Sequence, residues 1–240
     1  NYGKKQKDEL EPRYHRTTVE AVIRCLDEFR RIQTQYKLLS SNSILARDKF
    51  VEKVTEEKGM CIIDFSGEGS PGLDTKTQQL IIHYLSTILL NKFIGYKTRG
   101  KPKFLLLILE EAQKFCPSPS YPLETAIAKK SIARIAAEGR KFGVALCLIT
   151  QRPSFVDKIA LTMCNTFFIH RTSFEDARFV KGVVGNLPES LARKLTTLPT
   201  GEVIISGQML PTPFPVLVHV DYSERKVEPT TGKTQVTKYF

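Results

Sequence analysis

The chain has 240 residues, of which 41% are hydrophobic and 25% charged, a balance typical of a soluble globular domain. Its 36 Lys and Arg against 25 Asp and Glu give a net charge of +11, which favours an anionic partner such as nucleic acid, although an ordinary basic surface has the same composition. No apolar run reaches the roughly 20 residues of a membrane span and no signal peptide is visible, so we expect no membrane partner and a cytoplasmic location.

The cysteines exclude a disulfide framework. They are odd in number, widely spaced and mostly set in apolar strings, and neither a C-x-x-C pair nor a Cys/His cluster occurs. This pattern predicts buried thiols in a reducing compartment and no zinc site. The residues are Cys25, Cys61, Cys116, Cys147 and Cys164.

The first part of the chain predicts an arm followed by helices. Residues 1–16 are charged and show no periodicity. From Thr18 to Lys37 the apolar positions recur at steps of three and four, which predicts an amphipathic helix. A second helix is expected near Ile44–Val54, so residues 1–58 are predicted to form an N-terminal arm and helical segment.

Strands and helices then alternate. MCIIDF (60–65) is typical of a buried strand, and the glycine-rich turn SGEGSPG follows it. Thr75 and Gln78 form a capping-box pattern that opens a helix. The apolar run FLLLIL (104–109) predicts the next strand, and after a Pro/Ser loop a helix is expected from about Leu123 to Phe142.

The later part of the chain adds four apolar strands, VALCLIT (144–150), TFFIH (166–170), EVIIS (202–206) and PVLVHV (215–220). Short helices are expected near Glu175–Val184 and Pro188–Leu195. Continuous apolar strands that alternate with helices predict an α/β fold whose sheet is mostly parallel and covered on both faces, with antiparallel additions late in the chain. This core is predicted to span 59–222, and a polar basic tail 223–240.

Polar side chains follow several of these strands. Glu110 and Glu111 follow FLLLIL. Thr150 and Gln151 lie at the end of VALCLIT, and Asp64 and Ser66 lie at the end of MCIIDF. Ligands of open parallel sheets bind beyond the carboxyl ends of the strands, where these groups should converge. One glutamate could hold a hydrated Mg²⁺ and the other could orient and deprotonate a water. Strands also end in solvated acids, and the Glu-Glu pair alone does not separate the two interpretations.

Arg140 and Lys141 close the helix before VALCLIT. They should therefore lie near the amino-terminal edge of the sheet, away from Glu111 of their own subunit. From there Arg140 could reach the site of a neighbouring subunit and stabilise charge on a transferring phosphoryl group. Equally, it could be a surface arginine that caps the helix C-terminus.

Three segments in order carry a family resemblance: FLLLILEEAQKFCP, AAEGRKFGVALCLITQRPSFVDKIALTMCNTFFIHRTS and LTTLPTGEVIISG. Together with CIIDFSG, they resemble the later half of the HerA/FtsK class of P-loop ATPases, HerA-like DNA translocases above all, over roughly residues 59–220. The resemblance implies a RecA-like ATPase core that uses ATP and Mg²⁺. Glu110 and Glu111 would be the acidic pair of the Walker B motif, with Glu110 on the metal side. Gln151 would sense the γ-phosphate and Arg140 would be the arginine finger.

Two positions depart from that family pattern. Glu110 stands where an aspartate is commoner, which puts a longer side chain in the metal role, and Gln113 stands where a histidine is usual.

The resemblance also implies a biological role. It implies a homo-oligomeric, hexameric ring that moves on double-stranded DNA without sequence preference, with a nuclease partner in DNA end processing. A secretion or conjugation ATPase of the same superfamily is the alternative enzyme. A non-catalytic nucleic-acid-binding scaffold domain is the alternative outside enzymes.

The phosphate-binding loop expected of such an ATPase is missing from the matching segments. The single GK[ST] lies in TTGKT (230–234), where Val227 occupies the place of the first glycine and only six residues follow. In the resembled family this loop precedes all the segments quoted above. We therefore expect an ATPase core truncated before its Walker A loop, and a chain that alone binds ATP poorly and hydrolyses none.

Basic residues concentrate on the 123–142 helix and in the tail. Such residues suit sequence-independent contacts with DNA phosphates, although lysines on a helix surface are commonplace. The candidates are Lys129, Lys130, Arg134, Arg140, Lys141, Arg225, Lys226, Lys233 and Lys238.

Overall fold

A computed structural model describes residues 15–36, 51–52, 54–55, 59–66, 72–123 and 126–220. The chain divides into two compact units, residues 1–53 and 54–240. Most of the predicted 44–54 helix, most of the glycine-rich turn and the whole tail with TTGKT lie outside the described residues. The predicted boundaries at residues 58 and 222 stay predictions.

The first unit contains helix α1, Arg16–Tyr36, which confirms the predicted amphipathic helix. Its apolar side chains at 19, 22, 23 and 26 are all exposed, with Leu26 at 61%.

The second unit is α/β, as predicted. Its helices are α2 (Thr75–Thr98), α3 (Lys129–Phe142), α4 (Lys158–Thr162), α5 (Phe174–Val184) and α6 (Glu189–Lys194). Its strands are β1 (Leu105–Leu109), β2 (Val144–Leu148), β3 (Thr166–Ile169), β4 (Glu202–Gly207) and β5 (Val216–His219). Within the ranges that the structure describes, no helix is long and apolar enough to cross a membrane.

Strands β1 and β2 form a parallel pair, in register from Leu105↔Val144 to Leu109↔Leu148. Helices α2 and α3 pack on one face of the pair, where Phe93, Ile135 and Val144 are buried together. The connection β1–α3–β2 is thus the parallel crossover unit that alternating strands and helices predict.

The opposite face of this pair contradicts the sequence-based prediction. Leu106 and Ile108 on β1 are 56% and 48% exposed, whereas Leu109 is buried. The side chains of β1 therefore alternate between a covered and an uncovered face, and only one face is covered among the described residues.

The predicted antiparallel additions are confirmed. Strands β3, β4 and β5 form an antiparallel sheet in that order. Ile169 of β3 and Ile204 of β4 pack in one core with Ala177 and Val180 of α5 and with Leu195. This module therefore has a core of its own.

Three element predictions were wrong. Residues 60–66 form no strand: Met60 and Ile62 are 65% and 70% exposed, because no described strand pairs with the segment.

Helix α2 starts at Thr75 as expected, but its N-cap is Asp74, whose carboxylate accepts from the Thr77 amide at 2.9 Å. Helix α3 starts at Lys129, later than expected, and α4 was not predicted.

The glycines of GRKFG shape the turn from α3 into β2. Gly143 ends α3 with φ +84°, and a Cβ there would lie 2.1 Å from the Lys103 carbonyl oxygen. A Cβ on Gly139 would lie 2.5 Å from the Val144 carbonyl oxygen. Both glycines are therefore needed for close backbone packing, while Arg140 and Lys141 stay exposed.

Candidate functional site

The parallel register brings the polar ends of β1 and β2 together. The Ile149 amide donates to the Leu109 carbonyl, and the Ala112 amide donates to the Ile149 carbonyl, each at 2.9 Å. The segment after Leu109 therefore lies beside the segment after Leu148. This places Glu110 and Glu111 next to Thr150 and Gln151, as expected for one sheet edge.

Glu111 has an unusual backbone. Its φ of 51° and ψ of 50° lie in the left-handed region, and it is the single non-glycine residue with positive φ among those described. Such a conformation costs a glutamate free energy and is concentrated at functional sites. It directs the chain from β1 into a short 3₁₀ turn, Ala112–Lys114, and leaves Glu111 half-buried while Glu110 is exposed.

Two amides hold the Glu111 carboxylate, one on each oxygen. Gln113 Nε2 donates to Glu111 Oε2 at 2.5 Å, and Gln151 Nε2 approaches Glu111 Oε1 at 3.4 Å. Thr150 Oγ1 donates to Gln113 Oε1 at 2.8 Å, which fixes the buried Gln113 amide with its NH₂ group toward Glu111. A carboxylate has about four lone-pair positions, so it retains acceptor capacity for a water.

Buried Gln79 of α2 anchors the turn from behind. Its Nε2 donates to the Lys114 carbonyl and its Oε1 accepts from the Ile127 amide, each at 2.8 Å. The side chain thus joins three chain segments: α2, the turn that follows Glu111 and the approach to α3. Gln79 was missed in the sequence because a polar residue on a helix with many apolar neighbours carries no local signal of burial.

Lys129, one of the candidates for contact with DNA, has a structural partner. Its ammonium lies 2.7 Å from Asp157 Oδ2 and donates to the Pro117 carbonyl at 3.1 Å. Asp157 also caps α4 by accepting from the Ala160 amide. The pair therefore ties the start of α3 to the start of α4, and Lys129 is a poor candidate for DNA.

The thiols are mixed in exposure. Cys116 is fully buried, and this burial, with the negative charge of Asp157 second, raises the pKa of its thiol to about 12. Cys147 and Cys164 are partly buried and their thiol pKa values are also raised by burial. Cys61 is exposed, so the prediction that it is a buried thiol was wrong.

The loop after β2 has an anchor that the sequence did not reveal. The carboxylate of Asp176, on α5, is wholly buried and lies 3.0 Å from Arg152 Nε. Burial alone would raise its pKa, but hydrogen bonds from Ser154 and Ser173 and the Arg152 charge hold the pKa below the usual range. Arg152 and Ser154 are 24 and 22 positions away, a spacing that no local pattern indicates, and Ser173 is the N-cap of α5.

The structure does not bring Arg140 to Glu111. Arg140 lies in the last turn of α3, just before β2 begins, whereas Glu111 follows the carboxyl end of β1. The Asp64 carboxylate accepts from the Ser66 amide at 2.8 Å, which lowers its pKa, and among the described residues no hydrogen bond joins it to Glu111.

The donors at the edge fit a weakly held Mg²⁺. Among the described residues no cluster of three or more His, Cys, Asp or Glu could hold a metal. Mg²⁺ usually keeps several waters and takes one or two protein carboxylates together with substrate phosphates. The exposed carboxylate of Glu110 satisfies this requirement, whereas Glu111 is already bonded to amides.

No family model matches the chain. Over 206 residues it is 30% identical to the DNA double-strand break repair helicase HerA of Saccharolobus solfataricus, a match that covers 84% of this chain and 38% of that protein. It is 35% identical over 153 residues to a probable helicase of Methanocaldococcus jannaschii, covering 62% of this chain and 29% of the relative. This chain is homologous to HerA-type helicases. The family resemblance carried by the FLLLILEE, GRKFG and TQRP segments is therefore confirmed.

The chain spans well under half the length of these curated relatives. One solved structure with local similarity is the genome packaging NTPase B204 of Sulfolobus turreted icosahedral virus 2, in complex with ATP-gammaS. That chain is 18% identical, with a TM-score of 0.42 over 57% of this chain and 60% of its own.

Proposed function

We propose that this chain forms the later part of the ATPase core of a HerA-type, ATP-driven translocase or helicase that acts on double-stranded DNA. One observation carries the proposal. Glu111, which has a strained backbone and follows the end of β1, accepts a hydrogen bond on its carboxylate from Gln151, which follows the end of the neighbouring strand β2. That geometry suits a carboxylate that accepts a proton from water beside an amide that contacts a phosphate.

Each residue then has a separate task. Glu111 orients a water and accepts its proton, Gln113 and Thr150 hold the Glu111 carboxylate, and Gln151 donates toward the γ-phosphate. Exposed Glu110 holds Mg²⁺. When bound, Mg²⁺ supplies positive charge that neutralises the phosphate oxygens.

The oligomeric ring, the DNA substrate, the nuclease partner and the role in DNA end processing belong to the same proposal. The HerA relatives, named for double-strand break repair, support it. A net charge of +11 suits a polyanionic partner.

The test is ATP hydrolysis by the full-length protein, with and without duplex DNA, beside its Glu111→Gln variant. We expect DNA to stimulate hydrolysis and the variant to lose about 100-fold or more in kcat while it still binds ATP. Glu175→Gln, at an exposed carboxylate in the first turn of α5, is the matched control and should keep wild-type activity.

Two results would contradict parts of this proposal. Salt-dependent DNA binding without ATPase activity in the full-length protein would favour a scaffold domain. An ATPase that DNA does not stimulate would favour the secretion or conjugation class.

A further inference from the structure

Asp176 is a buried charge outside the site described above. It lies in the first turn of α5, in the antiparallel module, and has no exposed surface. A carboxylate removed from water is costly unless cations and hydrogen-bond donors compensate it. The donors that compensate the Asp176 carboxylate therefore show which segments this residue holds in place.

Two of these groups belong to the loop that follows β2. Arg152 Nε donates to Asp176 Oδ2 at 3.0 Å, and the Ser154 amide donates to Asp176 Oδ1 at 3.2 Å. A third donor, Ser173 Oγ, lies on the same module as Asp176, at 2.9 Å from Oδ2. One carboxylate thus holds the loop by a side chain and by its backbone.

The held segment starts immediately after Gln151. The Arg152 amide donates to Thr150 Oγ1 at 3.1 Å, and the Arg152 guanidinium stacks on the Phe155 ring at 4.6 Å. Gln151 itself is exposed, and the hydrogen bond to Glu111 is long at 3.4 Å. Its position therefore depends on the backbone that Thr150 fixes on one side and Asp176 on the other.

We propose that Asp176 is a positioning residue for Gln151: through Arg152 and Ser154 it holds the 150–154 loop so that the Gln151 amide reaches Glu111. The described hydrogen bonds of the Asp176 carboxylate go to Arg152, Ser154 and Ser173, so Asp176 acts on Gln151 only through the loop. The inference rests on the proposed ATPase function. It adds that the antiparallel module sets the geometry of the hydrolytic edge, because α5 carries the anchor.

The first test is a double-mutant cycle on kcat in the full-length protein, with Asp176→Asn, Gln151→Ala and the pair. We expect Asp176→Asn to lower kcat about tenfold and to change KM for ATP by less than about twofold. In the Gln151→Ala background the same change should lower kcat by less than about twofold, since the residue being positioned is gone. Glu175→Gln, one residue away on α5, should leave all these values unchanged.

Arg152→Gln gives a second route if Asp176→Asn folds poorly. In Arg152→Gln the Ser154 amide and the Ser173 hydroxyl still donate to the Asp176 carboxylate, and we expect the same non-additivity with Gln151→Ala. The proposal would be overturned if Asp176→Asn and Arg152→Gln each lowered kcat by the same factor in the wild-type and in the Gln151→Ala background. Wild-type kcat in Asp176→Asn would overturn it as well.

A structural readout separates this inference from the proposed function. Hydrogen exchange of residues 150–155 should become at least about tenfold faster in Asp176→Asn without nucleotide, because the loop loses its anchor. Unchanged exchange there would overturn the positioning role whatever the activity. If instead exchange rises but the wild-type protein hydrolyses no ATP, or Glu111→Gln hydrolyses it normally, the anchor stands and the proposed function fails.

Discussion

Glu111 combines a left-handed backbone with a carboxylate that is bonded on both oxygens. The amino acid and its place at a strand end could be predicted, because an apolar run that stops at two acids is visible in the sequence. The backbone strain and the amide of Gln113 could not, since both depend on how the 112–114 turn packs under Gln79.

The strain at Glu111 has a measurable consequence. Glu111→Ala and Glu111→Gly both lose the carboxylate and its hydrogen bonds, but only glycine adopts φ 51° without steric cost. We therefore expect the glycine variant to be more stable than the alanine variant by about 1 kcal/mol in urea unfolding.

At most positions an alanine variant is more stable than a glycine variant, and Ala137 provides the control for this usual order. It is exposed in the interior of α3, where Ala137→Gly should cost about 1 kcal/mol. An alanine variant at position 111 as stable as the glycine variant would show that the left-handed conformation carries no strain.

At the scale of elements, apolar periodicity located most of the helices and strands within a few residues. It failed where tertiary contacts decide. MCIIDF has the composition of a strand but lacks a described partner. Helix α3 starts late because Gln79 accepts from the Ile127 amide and holds the chain just before the helix. Helix α4 has only five residues, which is too short to show an apolar periodicity, and its start is set by the Asp157 cap.

The GRKFG segment gives a prediction at this scale. Gly139→Ala places a Cβ 2.5 Å from the Val144 carbonyl, so α3 must shift from β2, and we expect a loss of about 1–3 kcal/mol in the free energy of unfolding. Urea denaturation measures it.

Gly182 in α5 is the matched control for this substitution. Nothing lies within 4 Å of a Cβ added there, so Gly182→Ala should stabilise the protein by about 0.5–1 kcal/mol through helix propensity alone. If both alanine variants gained stability, the close approach of α3 to β2 would be contradicted.

For the whole molecule, the sequence predicted the α/β class, the parallel pair and the antiparallel addition, because these follow from the order of apolar runs. It did not predict which faces are covered. Leu106 and Ile108 read as core residues in a continuous apolar strand, yet they lie on the exposed face of the pair. Burial depends on which segments pack on each face, and a strand's own residues do not encode that.

Arg140 can act on Glu111 chemistry only from another subunit, because the two residues lie at opposite ends of the parallel pair. We therefore propose that the site is shared, and that full-length Arg140→Ala and Glu111→Gln proteins, each inactive alone, regain ATP hydrolysis when mixed. In a mixed ring, the intact Glu111 of the first variant meets the intact Arg140 of the second at about a quarter of the interfaces.

The measurement is the rate of phosphate release against mixing ratio, with a maximum expected near equal amounts. Arg193→Ala, which removes an exposed arginine of α6 outside the candidate DNA contacts, is the control and should stay active alone. Mixtures that remain as inactive as their components would place Arg140 outside the catalytic site, as a cap of the α3 C-terminus.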